Sequence, residues 1–135
     1  MYTLDIAQLV RAALEESGCD PSLVGELDSH STIALDLHEL PSIYISTQDD
    51  EVWLWSLIGD HSDAVIAQRG GELLQALMQG CGFARGGQLQ LAEQDGSLAL
   101  KALVHTDYLG DGSRFSDALN GFFDALERFS GSLLR

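Results

Sequence analysis

Two alternating apolar runs meet at Asp95-Gly96, inside the stretch Gln88 to His105 that reads QLQLAEQDGSLALKALVH. An Asp-Gly pair between alternating runs is the strongest short hairpin signal in a sequence, because glycine supplies the positive φ of a primed two-residue turn. With that turn as the centre, Leu91 falls opposite Leu100, Leu89 opposite Ala102 and Glu93 opposite Leu98 on one face. Gln90 falls opposite Lys101 on the other. A two-stranded ribbon is marginal in water, so further strands and a helix must complete the layer.

The helix follows a polar loop. Between Arg114 and Leu134, Phe115, Leu119, Phe122, Leu126, Phe129 and Leu133 recur at steps of four and three, which makes one stripe along a helix. Ser113 is the expected N-cap. Upstream, Ile6, Leu9, Val10, Ala13 and Leu14 predict a first helix from a Thr3 cap to about Ser17, closed by Gly18 and the Asp20-Pro21 turn.

From Thr32 the period becomes two, with Ile33, Leu35 and Leu37 on one face. After Pro41-Ser42, Ile43 to Ser46 predicts a second strand, Gln48-Asp49-Asp50 a hairpin loop and Val52 to Ile58 a third strand. That third strand is apolar on both faces: Val52, Leu54 and Ile58 on one, Trp53, Trp55 and Leu57 on the other. Either a helix covers each side or an aromatic face is left for a partner. A further helix from Ser62-Asp63 to about Gly80 is expected to bury Ile66, Leu73, Leu74, Leu77 and Met78. Gly70-Gly71 in its middle costs about 1 kcal/mol per glycine, which suggests the close approach of another backbone, with a kink as the plainer alternative. The order is α-β-β-β-α-β-β-α: an α+β, two-layer single domain spanning residues 1–135, with a mainly antiparallel sheet packed by helices.

Charge and composition narrow the function. Seven Lys and Arg against 21 Asp and Glu give a net charge of −14, and Lys101 is the only lysine. Such a surface repels a phosphate backbone, so nucleic acid is not an expected partner. No apolar run approaches the roughly 20 residues of a membrane span, and Asp5 and Gln8 interrupt any signal-like segment, so a soluble cytoplasmic protein without membrane insertion is expected. Cys19 and Cys81 are too few and too far apart for a disulfide framework or a zinc site.

Chemistry is sparse. Asp28-Ser29-His30-Ser31 brings an acid, a hydroxyl and an imidazole together, the ingredients of a small hydrolase. Residues adjacent in sequence rarely form such a relay, and a polar loop entering the first strand is the plainer reading. His30, His38, His61 and His105 lack metal-ligand spacing. The loop from Gly80 to Gly87 lacks the Gly-Lys-Ser/Thr ending of a phosphate loop. No catalytic, cofactor-binding or metal-binding residue is assigned. An acidic inhibitor that mimics nucleic acid is a further alternative, on charge alone.

Leu4-Asp5-Ile6-Ala7, Leu9-Val10-Arg11, Ser17 to Leu23, Asp28 to Ile33, Phe83 to Leu89, Leu100 to His105 and Ala118 to Phe122 together resemble the class IB type III secretion chaperones, the InvB/SpaK group. The resemblance covers almost the whole chain, with Gln90 and Thr106 standing where the family pattern has an apolar residue and a proline. It implies a small acidic homodimer, neither an enzyme nor cofactor-dependent, in the bacterial cytoplasm. Its partners would be the N-terminal segments of several secreted effectors, held non-globular for export, with the export ATPase as a further candidate. On that reading the expected effector-binding residues are Leu9, Leu14, Ile33, Leu35, Leu37, Ile43, Ile45, Trp53 and Trp55. The expected dimer interface takes Gly70, Gly71, Leu74 and Gln90.

Overall fold

A computed structural model describes residues 6–16, 32–36 and 40–133. The expectations for Thr3, Gly18, Cys19, Asp20-Pro21, Asp28 to His30, Leu37 and His38 lie outside the described residues.

Within them the order is α1 (Ile6–Glu16), β1 (Ile33–Leu35), β2 (Ile43–Gln48), β3 (Glu51–Asp60), α2 (Asp63–Met78), β4 (Gln90–Gln94), β5 (Ser97–Leu103) and α3 (Gly112–Leu133). The strands form one antiparallel sheet in the order β1-β2-β3-β5-β4. The β4–β5 hairpin has the expected register, with Gln90 opposite Lys101, Leu91 opposite Leu100 and Glu93 opposite Leu98. Asp95 (φ 52°) and Gly96 (φ 86°) both take left-handed backbone, as a type I′ turn demands. The Glu93 carboxylate accepts the Gly96 N–H at 2.8 Å and locks it. Asp49 (φ 53°) and Asp50 (φ 63°) turn β2 into β3 the same way, aspartate being one of the few side chains that tolerates this region.

Alternation then sorts the sheet into two faces. Inward, Ile33, Ile43, Ile45, Val52, Leu54, Leu98, Leu100 and Ala102 meet the α3 stripe of Phe115, Leu119, Phe122, Leu126 and Phe129 and the α1 residues Ile6, Leu9, Val10 and Ala13 in one core. Ser56, the one polar side chain of β3 on that face, is fully buried, and its hydroxyl donates to the Ser42 carbonyl at 2.8 Å. Burial of a hydroxyl is tolerated when it is paired in this way.

Two local expectations are corrected, and the close approaches to glycine within the chain fall elsewhere than at Gly70-Gly71. The N-cap of α3 is Asp111, whose carboxylate accepts the Arg114 N–H at 2.8 Å; Ser113 already lies inside the helix. Carboxylate and hydroxyl cap equally well, so sequence alone could not choose between them. The glycines at close approaches are Gly112 and Gly121. A Cβ on Gly112 would meet Ala12 Cβ at 2.6 Å and the Ala12 carbonyl carbon at 3.0 Å, where α1 crosses α3. One on Gly121 would meet the Phe83 ring at 2.8 Å. Around Gly71 nothing comes within 4 Å, and Gly70 meets only Ile66 of its own helix, at 3.9 Å.

Finally, α2 does not bury its full apolar complement. Ser62 caps it as expected, accepting the Val65 N–H at 3.1 Å, but only Leu73 is buried and Leu77 half-buried. Ile66, Leu74 and Met78 remain 43%, 58% and 67% exposed. The inner face of the sheet is already filled by α1 and α3, so α2 packs along α3 on one side only.

Candidate interaction site

Two apolar surfaces therefore lie outside the core. The first is the outer face of the sheet. Tyr44, Trp53 and Trp55 are half-buried, Leu57 is 36% exposed, and none of them joins the core. Of the two alternatives that the sequence leaves for the doubly apolar third strand, the structure has the second, an aromatic face without a helix among the described residues over it.

Register builds this face. Tyr44 lies opposite Trp55 and Ser46 opposite Trp53 across β2–β3, while Lys101 lies opposite Trp55 across β3–β5. Tyr44 and Trp55 stack with ring centroids 4.5 Å apart and planes at 25°, within the range favoured for offset aromatic pairs. The Trp55 indole N–H donates to Ser46 Oγ at 2.9 Å, and Ser46 Oγ in turn lies 3.0 Å from Thr32 Oγ1. The Lys101 ammonium sits 5.0 Å from the centroid of the Trp53 ring, in cation–π contact. Ser46, Gln48, Trp53, Trp55 and Lys101, with Gln94, line a shallow cavity of about 290 Å³. Glu51, two residues along β3 from Trp53, is held by Arg85 at 3.4 Å.

The second surface is the free side of α2. Ile66, Gly70, Leu74 and Met78 recur every four residues, the spacing of one stripe on a helix. Glycine in the middle of an apolar stripe leaves a groove where another backbone can approach.

The sequence-predicted residues divide accordingly. Leu9, Ile33, Ile43 and Ile45 are buried in the core, where their apolar area is spent on the helices and is closed to a ligand. Alternation identifies a face without revealing which face is covered, and here the covered face is theirs. Leu14 and Leu35 are half-buried at the core's margin, and Trp53 and Trp55 stand on the outer sheet face. Gly70, Gly71 and Leu74 are on the helix, and Gln90 is exposed on the edge strand β4. Tyr44 joins the two tryptophans from the neighbouring strand, as its outward parity in the sequence leads one to expect; Lys101 is the member that sequence reasoning does not pick out, although its outward parity and its being the only lysine are both legible.

Features of catalytic or metal sites are sparse. Among the described residues no three His, Cys, Asp or Glu cluster in a way that could hold a metal, and no helix is long and apolar enough to cross a membrane. His61 is exposed, and half-buried His105 caps a 3₁₀ turn by accepting the Asp107 N–H at 3.1 Å. Half-buried Cys81 has its thiol pKa raised by burial, against smaller lowering from a backbone hydrogen bond at Ala84 and from the Arg128 charge.

The five-stranded antiparallel sheet with α1 and α3 packed on its inner face matches solved structures from type III secretion systems. SycH, a type III secretion chaperone of Yersinia pestis solved with a stable fragment of YscM2, superposes with a TM-score of 0.61 over 92% of this chain and 98% of its own, at 15% identity. The heterodimeric ExoU–SpcU complex from the type III secretion system of Pseudomonas aeruginosa matches with a TM-score of 0.56 over 92% and 97%, at 24% identity. The fold is thus that of type III secretion chaperones. By sequence, residues 18–95 match the model of the Invasion protein B family. The chain is also 63% identical, over the full length of both, to the surface presentation of antigens proteins SpaK of Salmonella typhimurium strain LT2 and of Salmonella typhi. The chain belongs to the Invasion protein B family.

Proposed function

We propose that this chain is a type III secretion chaperone of the bacterial cytoplasm that binds the N-terminal segments of effector proteins as a homodimer and keeps them non-globular for export. The observation that carries the reading is the pair of apolar surfaces that nothing among the described residues covers, on a chain whose described helices already fill the inner face of the sheet and whose net charge is −14. Catalysis plays no part in it. Large exposed apolar surfaces on an acidic protein mark contacts with other chains, and an extended segment that orders on binding uses wide surfaces in preference to one deep pocket.

The two surfaces take two roles. The α2 stripe is the self-contact: a two-fold axis sets the same patch against itself, and Gly70 and Gly71 let the two helices approach. Leu74 supplies apolar area there, and Gln90 lies on an exposed edge strand. The outer sheet face, together with half-buried Leu14 of α1 and Leu35 of β1, receives effector side chains. Backbone groups of the effector add to a sheet edge.

The test is Trp53→Ala with Trp55→Ala. A folded double variant that loses most effector affinity while keeping its dimer mass supports the assignment. If it binds effectors as tightly as the parent, the outer face is not where they lie.

A further inference from the structure

The geometry points to the Trp53–Lys101 cavity as a subsite for a carboxylate-bearing side chain of an extended effector segment. This inference rests on the proposed chaperone function and specifies what one surface of it selects.

In a chain carrying 21 carboxylates, an acidic ligand is repelled almost everywhere, and sites for one must be local exceptions. The outer sheet face is such an exception. Its cavity is lined by Ser46, Gln48, Trp53, Trp55, Gln94 and Lys101, with no carboxylate among them. The sole lysine of the sequence stands there, and among the described residues no carboxylate pairs with it; its ammonium instead rests over the Trp53 ring. Glu51, the acid on the same face of β3, is engaged by Arg85.

An ammonium held over a ring keeps donors free for an incoming acceptor, and the Gln48 side-chain amide adds neutral donors at the same cavity. Two indole faces lie beside those donors, and the Trp55 N–H is already satisfied by Ser46. The aromatic surface is therefore left to take the aliphatic or planar part of a neighbouring side chain. Apolar walls with one unpaired cation match an acidic residue flanked by an apolar one. A basic segment, the partner that the net charge alone would suggest, meets Lys101 with like charge.

The test is a double-mutant cycle on the complex with an effector N-terminal segment recovered by co-purification with this chain. Lys101→Gln removes the charge on a shorter side chain that keeps a neutral donor, and is expected to weaken binding about tenfold; Lys101→Arg is expected to restore most of it. Changing the effector's Asp and Glu residues singly to Asn and Gln should reveal one position whose loss is no longer additive with Lys101→Gln. Unchanged affinity of the Lys101→Gln chain, or additivity at every effector carboxylate, overturns the subsite. A Lys101→Gln chain that loses its dimer mass instead would assign the face to a second copy, and also overturns it. If the parent chain retains no effector segment at all, the failure belongs to the chaperone reading, and the wild-type arm alone reports it.

Discussion

Replacing Gly70 and Gly71 together by alanine separates what α2 does within one protomer from what it does between two. Within the protomer, an alanine Cβ at position 71 meets nothing within 4 Å, and one at position 70 meets only Ile66 Cγ2, at the ordinary contact distance of 3.9 Å. Neither glycine has the positive φ that would strain an alanine. The two substitutions therefore cost no packing, and each gains about 1 kcal/mol of helix propensity. With about 3–5 °C per kcal/mol for a chain of this size, the melting temperature of dissociated protomers should rise by about 6–10 °C. Between protomers the sign reverses. A methyl in the groove at position 70 and another at its border at position 71 hold the facing helices apart, and overpacking of this kind costs typically 1–3 kcal/mol, or about fivefold to 150-fold in the dimer dissociation constant. Sedimentation velocity across a dilution series reads the dimer constant, and thermal unfolding below that concentration reads the protomer. A stabilised protomer with an unchanged dimer constant would refute the assignment of the self-contact to this stripe.

Other consequences follow from the packing. Gly112→Ala forces a Cβ to within 2.6 Å of Ala12 Cβ at the α1–α3 crossing, and should cost about 1–3 kcal/mol in denaturant unfolding, unlike its counterpart at Gly71. Asp111→Ala removes the hydroxyl-free cap of α3 and should cost about 1 kcal/mol by the same assay. The Cys81 thiol has its pKa raised in the folded chain, chiefly by burial, above an ordinary value of 9.0. The native state therefore holds its proton where the unfolded state releases it. This contribution to stability is complete below pH 9 and is lost as pH rises through the raised value, and Cys81→Ala should flatten that decline.

Much of this fold is legible in the sequence because its signals are local. Asp95-Gly96 pins the β4–β5 register, and the four-three spacing from Phe115 to Phe129 defines the buried side of α3, since both depend only on near neighbours in the chain. The site was half legible. Alternation at Val52 to Ile58 reveals two apolar faces, but deciding which is covered requires knowing where α1 and α3 dock, and so Ile33, Ile43 and Ile45 read as surface when they are core. On α2, Leu73 and Leu74 are adjacent in a single apolar pattern, yet one is 3% and the other 58% exposed. A helix with two apolar sides has no periodicity that says which side has a neighbour. The glycines tell the same story. Gly112 and Gly121 are required by contacts with Ala12 and Phe83, distant in sequence, whereas Gly70-Gly71 stand out in the sequence because glycine is unfavourable in the middle of a helix.

The central claim is that the apolar surfaces left uncovered among the described residues bind other chains, so that two copies of this protein hold one effector. Its most direct test is to express the tagged chain in a bacterium with an active type III system, and to weigh what it retains by native mass spectrometry. The account predicts a complex of two copies with one effector, contacted through the effector's N-terminal region. A clean monomer, recovered while effectors are being made, would contradict it.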